Sequence, residues 1–89
     1  MPRPQGRNQQ LIRQWKIILR LASSRAATTY YALAADYGVS DRTIRRDLAA
    51  LQEAGFPLID VLIDDETGRV GWRMMESREL SRLTSVEVR

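Results

Sequence analysis

A sharp corner between two amphipathic helices is the sequence feature that most constrains the fold of this chain. It lies in residues 33–51, LAADYGVSDRTIRRDLAAL, where Gly38 ends one helical pattern and Ser40 opens the next. Glycine adopts the positive φ of such a corner at little cost, and serine is a strong helix N-cap. Apolar residues then recur at i, i+4 and i+7, which predicts one buried stripe along the second helix. These residues are Ile44, Leu48 and Leu51.

The opposite side of this second helix carries arginines and small residues. Its front consists of Arg42, Arg46 and Ala49, flanked by Thr43 and Arg45. A helix that is held by its back and presents arginines on its front has the form that enters a DNA major groove. The alternative is a solvated charged face, in which acidic residues three or four positions away neutralise the arginines. The candidates for such pairing are Asp41, Asp47 and Glu53.

A family resemblance is carried by the run GVSDRTIRRDLAALQEAGFPL. It is similar to the DNA-binding helix and following wing of DeoR-type and WYL-domain bacterial transcription regulators, and the similarity extends over residues 8–75. The resemblance implies a winged helix-turn-helix in which residues 40–54 form the reading helix. It also implies DNA-facing positions for Ser40, Arg42, Thr43, Arg45 and Arg46. The acidic Asp47 departs from simpler repressor helix-turn-helix units, which have an apolar residue there, but it is ordinary in the winged family.

Length and composition restrict the possible functions. The 89 residues suffice for one domain with a single core. The chain has no cysteine and no histidine, which removes disulfides, thiolate metal sites and the commonest general base. No nucleophile has a plausible base beside it and no phosphate-binding glycine loop is present, so we expect no enzyme, no cofactor and no metal site. Without an apolar span or a signal peptide, we expect a cytoplasmic protein that does not contact a membrane.

The charge is concentrated near the N-terminus. The net charge is +3, and residues 1–25 carry six basic side chains and no acidic one. A basic end favours a polyanionic partner, although solubility alone would also account for it. Residues 1–8 are polar and are predicted to be a flexible basic arm. Such an arm could lie on DNA or could simply be a frayed terminus.

A first helix is predicted from about Asn8. Its core-facing side is expected to consist of Leu11, Ile12, Trp15, Ile18, Leu19 and Ala22. Among these, Trp15 is interpreted as a core anchor rather than a base-stacking platform. The other side of the helix carries Arg13, Lys16 and Arg20, of which Lys16 and Arg20 are candidate contacts to DNA phosphates.

A short loop and a second helix are predicted between this first helix and the corner. Residues 23–27 break the helical pattern, and Thr28 or Thr29 is suited to cap the helix that follows. The apolar side of that helix is expected to consist of Tyr30, Leu33, Ala34 and Tyr37. This helix should brace the reading helix across the corner.

A β-hairpin is predicted after the reading helix. Gly55 and Pro57 end the helix, and the periodicity then changes to alternation in residues 58–64 and 69–75. The intervening Asp-Glu-Thr-Gly is a hairpin turn, with Gly68 at the left-handed position. This hairpin is the expected wing, and its apolar side should close the core under the helices.

The tip of the predicted wing is acidic, which complicates the DNA hypothesis. Asp64, Asp65 and Glu66 would be repelled by a phosphate strand, so we do not expect this tip to make the usual minor-groove contact. Arg69 and Arg73 on the second wing strand are better candidates for contact with the DNA backbone. The three carboxylates could in principle bind a cation, but solvation is the favoured interpretation.

The predicted architecture is α+β: a winged helix-turn-helix with three helices and a C-terminal two-stranded β-hairpin wing in residues 9–75. Residues 76–89 carry Leu80 and Leu83 at helical spacing and could form a short helix, a dimer contact or a linker. The resembled family usually continues into a ligand-sensing or effector domain, so we expect the chain to be either the DNA-binding fragment of such a regulator or a small regulator that acts alone.

The predicted function is a sequence-specific transcription regulator that binds double-stranded DNA as a homodimer, since one such module covers only a short site. The alternative is a winged helix used for protein interaction or dimerisation without direct DNA readout, which the acidic tip and the apolar pair in the tail would suit. RNA binding is a weaker third hypothesis, since no aromatic stacking surface is evident.

Overall fold

The computed structural model describes the backbone of residues 5–87 and the side chains of residues 8–82. Within these limits the chain forms helices and a three-stranded antiparallel sheet of strand order β1-β3-β2. The elements are α1 (Gln5–Ala22), β1 (Thr28–Thr29), α2 (Tyr30–Tyr37), α3 (Asp41–Glu53), β2 (Leu58–Asp64), β3 (Arg69–Met74) and α4 (Ser77–Glu87). The predicted winged helix-turn-helix is confirmed, and strand β1 and helix α4 are added to it.

The corner between α2 and α3 is built as the sequence predicts. Gly38 has φ 65°, and its N–H donates to the carbonyl of Ala34. Ser40 caps α3, because its Oγ accepts from the N–H of Thr43 at 3.1 Å. The amide of Gln52 near the other end of α3 donates to the carbonyl of Leu58 at 3.0 Å, which ties the helix to the first wing strand. Helix α3 is therefore fixed at both ends.

The core lies between the three N-terminal helices and one face of the sheet. Helices α2 and α3 contribute the residues that their periodicity predicts, and the predicted stripe of α3 is buried. The buried apolar residues are Ile17, Ile18, Leu21, Leu33, Ala34, Ile44, Leu48, Leu51, Leu58 and Trp72. Tyr30 and Tyr37 pack against this cluster, as expected for the apolar side of α2.

Helix α1 is buried along a different side from the one predicted. Ile17, Ile18 and Leu21 face the core, whereas the expected core anchor Trp15 has 57% of its surface exposed. The prediction was also wrong for Leu11, Ile12, Leu19 and Ala22, which are all exposed. The helix has two apolar stripes, and only Ile18 belongs to both the predicted and the observed core residues. Helical periodicity alone does not show which of the two stripes is covered by the core.

Arg13 and Asp47 form an ion pair under α1 that the sequence did not reveal. Asp47 is buried, and its carboxylate accepts from Nε and Nη2 of Arg13 and, at 3.0 Å, from the amide of Gln14. This hydrogen bonding raises the pKa of Arg13 above its ordinary value. Arg13 therefore joins α1 to α3, although the prediction placed it on the solvent side of its helix.

The N-terminal boundary differs from the prediction. Helix α1 begins at Gln5, earlier than the expected start near Asn8, so part of the predicted flexible arm is helical. The remainder of that arm, residues 1–4, lies outside the described residues. At the other end, the segment predicted as a helix, a dimer contact or a linker forms α4.

The wing is a hairpin with a shift of register between Leu62 and Asp64, and a third strand completes its sheet. Residues 65–68 turn as predicted, with Gly68 at φ 73°. Strand β1 pairs with β3, and Thr29 also caps α2 by accepting from the N–H of Ala32 at 3.1 Å.

Gly71 lies in β3, where a Cβ atom would come within 2.8 Å of the Ala27 Cβ. The absence of a side chain at this position lets the loop before β1 approach the sheet.

Candidate nucleic-acid interface

The front of α3 is an exposed cationic surface of the helix-turn-helix. Arg42, Arg46 and Ala49 are exposed, as the position of the buried stripe predicts. In the part of the chain that the structure describes, neither arginine has an acidic partner. Asp47 is turned inward to Arg13 and does not neutralise this surface. The guanidinium groups on the front of α3 are therefore available to an anionic ligand.

Arg45, on the flank of α3, is positioned by an aromatic contact. Its guanidinium carbon lies 4.6 Å from the centroid of the Tyr30 ring. The Tyr30 ring in turn packs against the buried Trp72, with centroids 6.1 Å apart and planes inclined at 60°. A cation over an aromatic face is attracted to it, and a packed ring offers a fixed platform. The core of the wing thus restricts where the Arg45 guanidinium can lie.

A surface groove of about 380 Å³ separates α3 from the wing near this arginine. The groove is lined by the first turn of α2, by the hairpin turn and by the start of β3. The lining residues are Tyr30, Tyr31, Arg45, Thr67, Gly68, Arg69 and Val70. Tyr31 and Thr67 are polar lining residues that the sequence pattern does not indicate as site residues. Tyr31 is exposed beside the core-packed Tyr30, and a second tyrosine off the apolar side of α2 was the available signal.

The two hydroxyl residues at the start of α3 mainly serve its first turn. Besides capping the helix, the Ser40 hydroxyl donates to Oγ1 of Thr43 at 3.1 Å. Ser40 is exposed and Thr43 is half-buried. Their predicted contact with DNA stays a prediction, and their observed role is to hold the N-terminus of the helix.

The tip of the wing is acidic and is ordered by one of its own carboxylates. Asp64 Oδ1 accepts from the N–H of Glu66 at 3.0 Å. This hydrogen bond is the main reason that the pKa of Asp64 lies below its ordinary value, and a hydrogen bond with the Thr67 side chain lowers it further. The carboxylate therefore stays ionised. Asp65 and Glu66 are exposed on the same turn, and the exposed Arg69 opens the next strand. A phosphate would therefore be repelled at the tip and attracted beside it.

The two predicted phosphate contacts on α1 differ in their surroundings. Lys16 is exposed and lines a surface groove of about 340 Å³ beside the corner residues Gly38 and Val39. Arg20 forms an ion pair with Asp36 of α2 on the surface. Binding of phosphate by Arg20 would have to compete with this carboxylate, whereas Lys16 has no acidic partner among the described residues.

Arg73, the other predicted backbone contact on the wing, holds α4. Its guanidinium donates to both carboxylate oxygens of Glu79, at 3.0 and 2.8 Å. Glu79 also accepts from the N–H of Glu76 at 2.8 Å, which is the reciprocal half of a capping box at the start of α4. Arg73 is half-buried and lies at the end of β3 remote from the tip. Its observed role is therefore to hold α4 against the sheet.

We expect the attachment of α4 to depend on pH. Arg73, and next the N–H of Glu76, lower the pKa of Glu79 to about 2 from an ordinary 4.5. Because the folded-state pKa is depressed, the contact is complete above about pH 4.5 and is lost as the pH falls toward 2. An NMR titration of the Glu79 carboxyl carbon should give this low value, and Glu79→Gln should remove the pH dependence of α4 amide protection. A Glu79 that titrates near 4.5 would contradict the ion pair.

The described part of the chain shows neither a metal-binding cluster nor a membrane-spanning helix. No group of three or more acidic residues there is arranged to hold a metal ion. Among the helices of the described residues, none is both long and apolar enough to cross a membrane.

Comparison with known proteins agrees with this geometry. Residues 13–73, which extend from the first core helix through most of β3, match the helix-turn-helix (HTH) domain family. No curated protein and no solved structure shows significant similarity to the chain. The match includes the corner, all of α3 and both wing strands up to Arg73.

Proposed function

Because the chain belongs to the helix-turn-helix (HTH) domain family, we propose that it regulates transcription by binding double-stranded DNA in a sequence-specific manner. The observation that carries the proposal is the front of α3. There, Arg42 and Arg46 extend from a helix whose back is buried and whose ends are both fixed. A rigid helix with unneutralised arginines on its exposed side is suited to the major groove.

The proposed contacts fall into two kinds. Arg42 and Arg46 would reach base edges, where arginine can donate to O6 and N7 of guanine. Arg45, Arg69 and Tyr31 would bind phosphates where the groove beside the wing meets the DNA backbone. Lys16 would add a further phosphate contact. The ion-paired Arg20 and Arg73 support this mechanism less well, since each already has a carboxylate partner.

Finer assignments rest on the sequence resemblance. We propose that the chain is a regulator of the DeoR or WYL type that acts in the bacterial cytoplasm. Since one module covers a short site, two copies would bind half-sites about one helical turn apart.

Binding to random duplex DNA tests the proposal most directly. We expect anisotropy titrations to show binding at 50 mM salt that weakens on the order of 100-fold at 200 mM, as for release of counterions from about four phosphates. Selection of sites from a random duplex library should then yield a preferred sequence. A chain that fails to bind any duplex at low salt would contradict the proposal.

The alternative is a winged helix that binds protein without reading DNA. Two observations favour it: the acidic tip of the wing and an exposed apolar side on α1. The same titration separates the two hypotheses, because a protein-binding module should not show a steep salt dependence on random DNA. Affinity for duplex DNA without any selected sequence would leave a DNA-binding protein that is not sequence-specific.

A further inference from the structure

Helix α1 carries a second apolar stripe that nothing in the described structure covers. Leu11, Ile12, Trp15 and Leu19 have 59%, 54%, 57% and 51% of their surfaces exposed. Three of them, at positions 11, 15 and 19, recur every four residues and therefore lie in one row along the helix. Single exposed apolar side chains are ordinary, but a contiguous patch that includes a tryptophan usually marks an interaction site.

The stripe carries no charge along its length. The basic residues of the described part of α1 lie on other sides of the helix, where Arg13 pairs with Asp47 and Arg20 pairs with Asp36. Lys16 is at the border of the stripe and has no acidic partner among the described residues. A partner must therefore offer an apolar surface, and an anionic ligand such as nucleic acid does not fit.

We propose that the stripe binds the same stripe of a second copy of this chain. In an antiparallel pair of α1 helices, the two-fold axis passes beside Trp15, and Leu11 of one copy lies against Leu19 of the other. The spacing of four residues on each side of Trp15 makes the row self-complementary, as a two-fold interface requires. The rows that these residues form are also the ridges along which helices commonly pack.

The size of the stripe indicates a weak dimer. Its four side chains, each about half exposed, would bury on the order of 1,000 Å² in total between two copies, which is at the lower limit for specific interfaces. Such a pair associates transiently in solution and is favoured when two copies are held close together. The inference does not rest on DNA binding, because the stripe and the arginines of α3 lie on different elements.

Sedimentation of the full chain tests the dimer without DNA. We expect a monomer–dimer equilibrium whose dissociation constant rises at least about 30-fold in Trp15→Glu, since aromatic anchors at interface centres are typical hot spots. Leu62→Glu is the matched control, because Leu62 in the wing is equally exposed at 57% and lies outside the stripe. Circular dichroism should show both variants folded, as neither position belongs to the core.

Salt provides a second criterion. The unpaired Lys16 side chains of the two copies repel each other, so added salt should tighten the dimer while it weakens any DNA complex. A dimer that loosens with salt in the absence of DNA would contradict an apolar interface of this kind.

Cysteine cross-linking tests the geometry itself, because the chain has no cysteine of its own. Leu11→Cys and Leu19→Cys should cross-link when mixed and much less when each is alone. A chain that stays monomeric up to about 1 mM, or a dimer that Leu62→Glu weakens as much as Trp15→Glu, would overturn the proposal. Self-linking of Leu11→Cys comparable to the mixed pair would overturn the antiparallel arrangement.

Discussion

Replacement of Asp47 by alanine should lower the free energy of unfolding by about 3–5 kcal/mol. Only 3% of the Asp47 side chain is exposed, and its carboxylate accepts from both Arg13 and Gln14. The substitution leaves the Arg13 guanidinium, itself only 16% exposed, without its counter-charge. Since domains of this size are stable by about 5–15 kcal/mol, much of the total would be lost. Urea denaturation followed by tryptophan fluorescence measures the change.

A second ion pair of the same chain provides the control. Asp36 pairs with Arg20 between α2 and α1, but both side chains are substantially exposed, at 48% and 36%. Asp36→Ala should therefore cost less than about 1 kcal/mol, because solvent screens such pairs. If Asp47→Ala and Asp36→Ala lower the free energy of unfolding equally, burial is not the reason that the Arg13–Asp47 pair stabilises the fold.

Replacing both members of the buried pair separates the value of the pair from the cost of breaking it. An Arg13→Met, Asp47→Leu double variant has no unpaired charge and should recover most of the stability that Asp47→Ala loses. Gln14 remains able to bond with water at the edge of the site. A double variant as unstable as Asp47→Ala would mean that the pair contributes through its geometry as well as its charge balance.

The same pair shows where the sequence was insufficient. Helix α3 was predictable in detail because its polar and apolar sides differ sharply, and Gly38 and Ser40 mark its start. Local spacing offers Asp47 only the arginines of its own helix as partners, whereas its observed partner Arg13 lies 34 positions away in the sequence. Local spacing does not contain such a contact.

The prediction of which side of helix α1 is buried was wrong for a related reason. The helix carries apolar residues on two sides, so periodicity predicted a buried stripe without specifying which one. The predicted stripe contains the large side chain of Trp15, whereas the core takes the smaller Ile17 and Leu21. Strand β1 has only two residues and depends wholly on its pairing with β3, so it had no signal of its own.

The front of α3 was predicted more completely than the groove beside the wing. The outward direction of Arg42 and Arg46 follows from the buried stripe behind them, and the structure confirms their exposure. The contribution of Tyr31 and Thr67 depends on how the wing folds beside α2, which spacing in the sequence does not give. Which of these side chains contact DNA stays a prediction.

Replacement of Arg42 or Arg46 by alanine should weaken binding to a selected DNA site by about 1–3 kcal/mol each. Both side chains are exposed and belong to the front of α3, so the free energy of unfolding should change by less than about 0.5 kcal/mol. A residue that reads a base also relaxes the sequence preference at one position of the site. Repeated site selection with each variant measures this relaxation, and anisotropy titration measures the affinity.

Two matched substitutions distinguish base reading from loss of positive charge. Lys16→Ala should weaken binding to selected and random DNA equally and reduce the salt slope by about one. Arg25→Ala removes the same charge from a loop side chain that is 90% exposed and should change the sequence preference little. If Arg42→Ala and Arg46→Ala behave like Lys16→Ala, the arginines bind phosphates and the sequence is read elsewhere. If both variants bind the selected site like the parent chain, the front of α3 does not contact DNA at all.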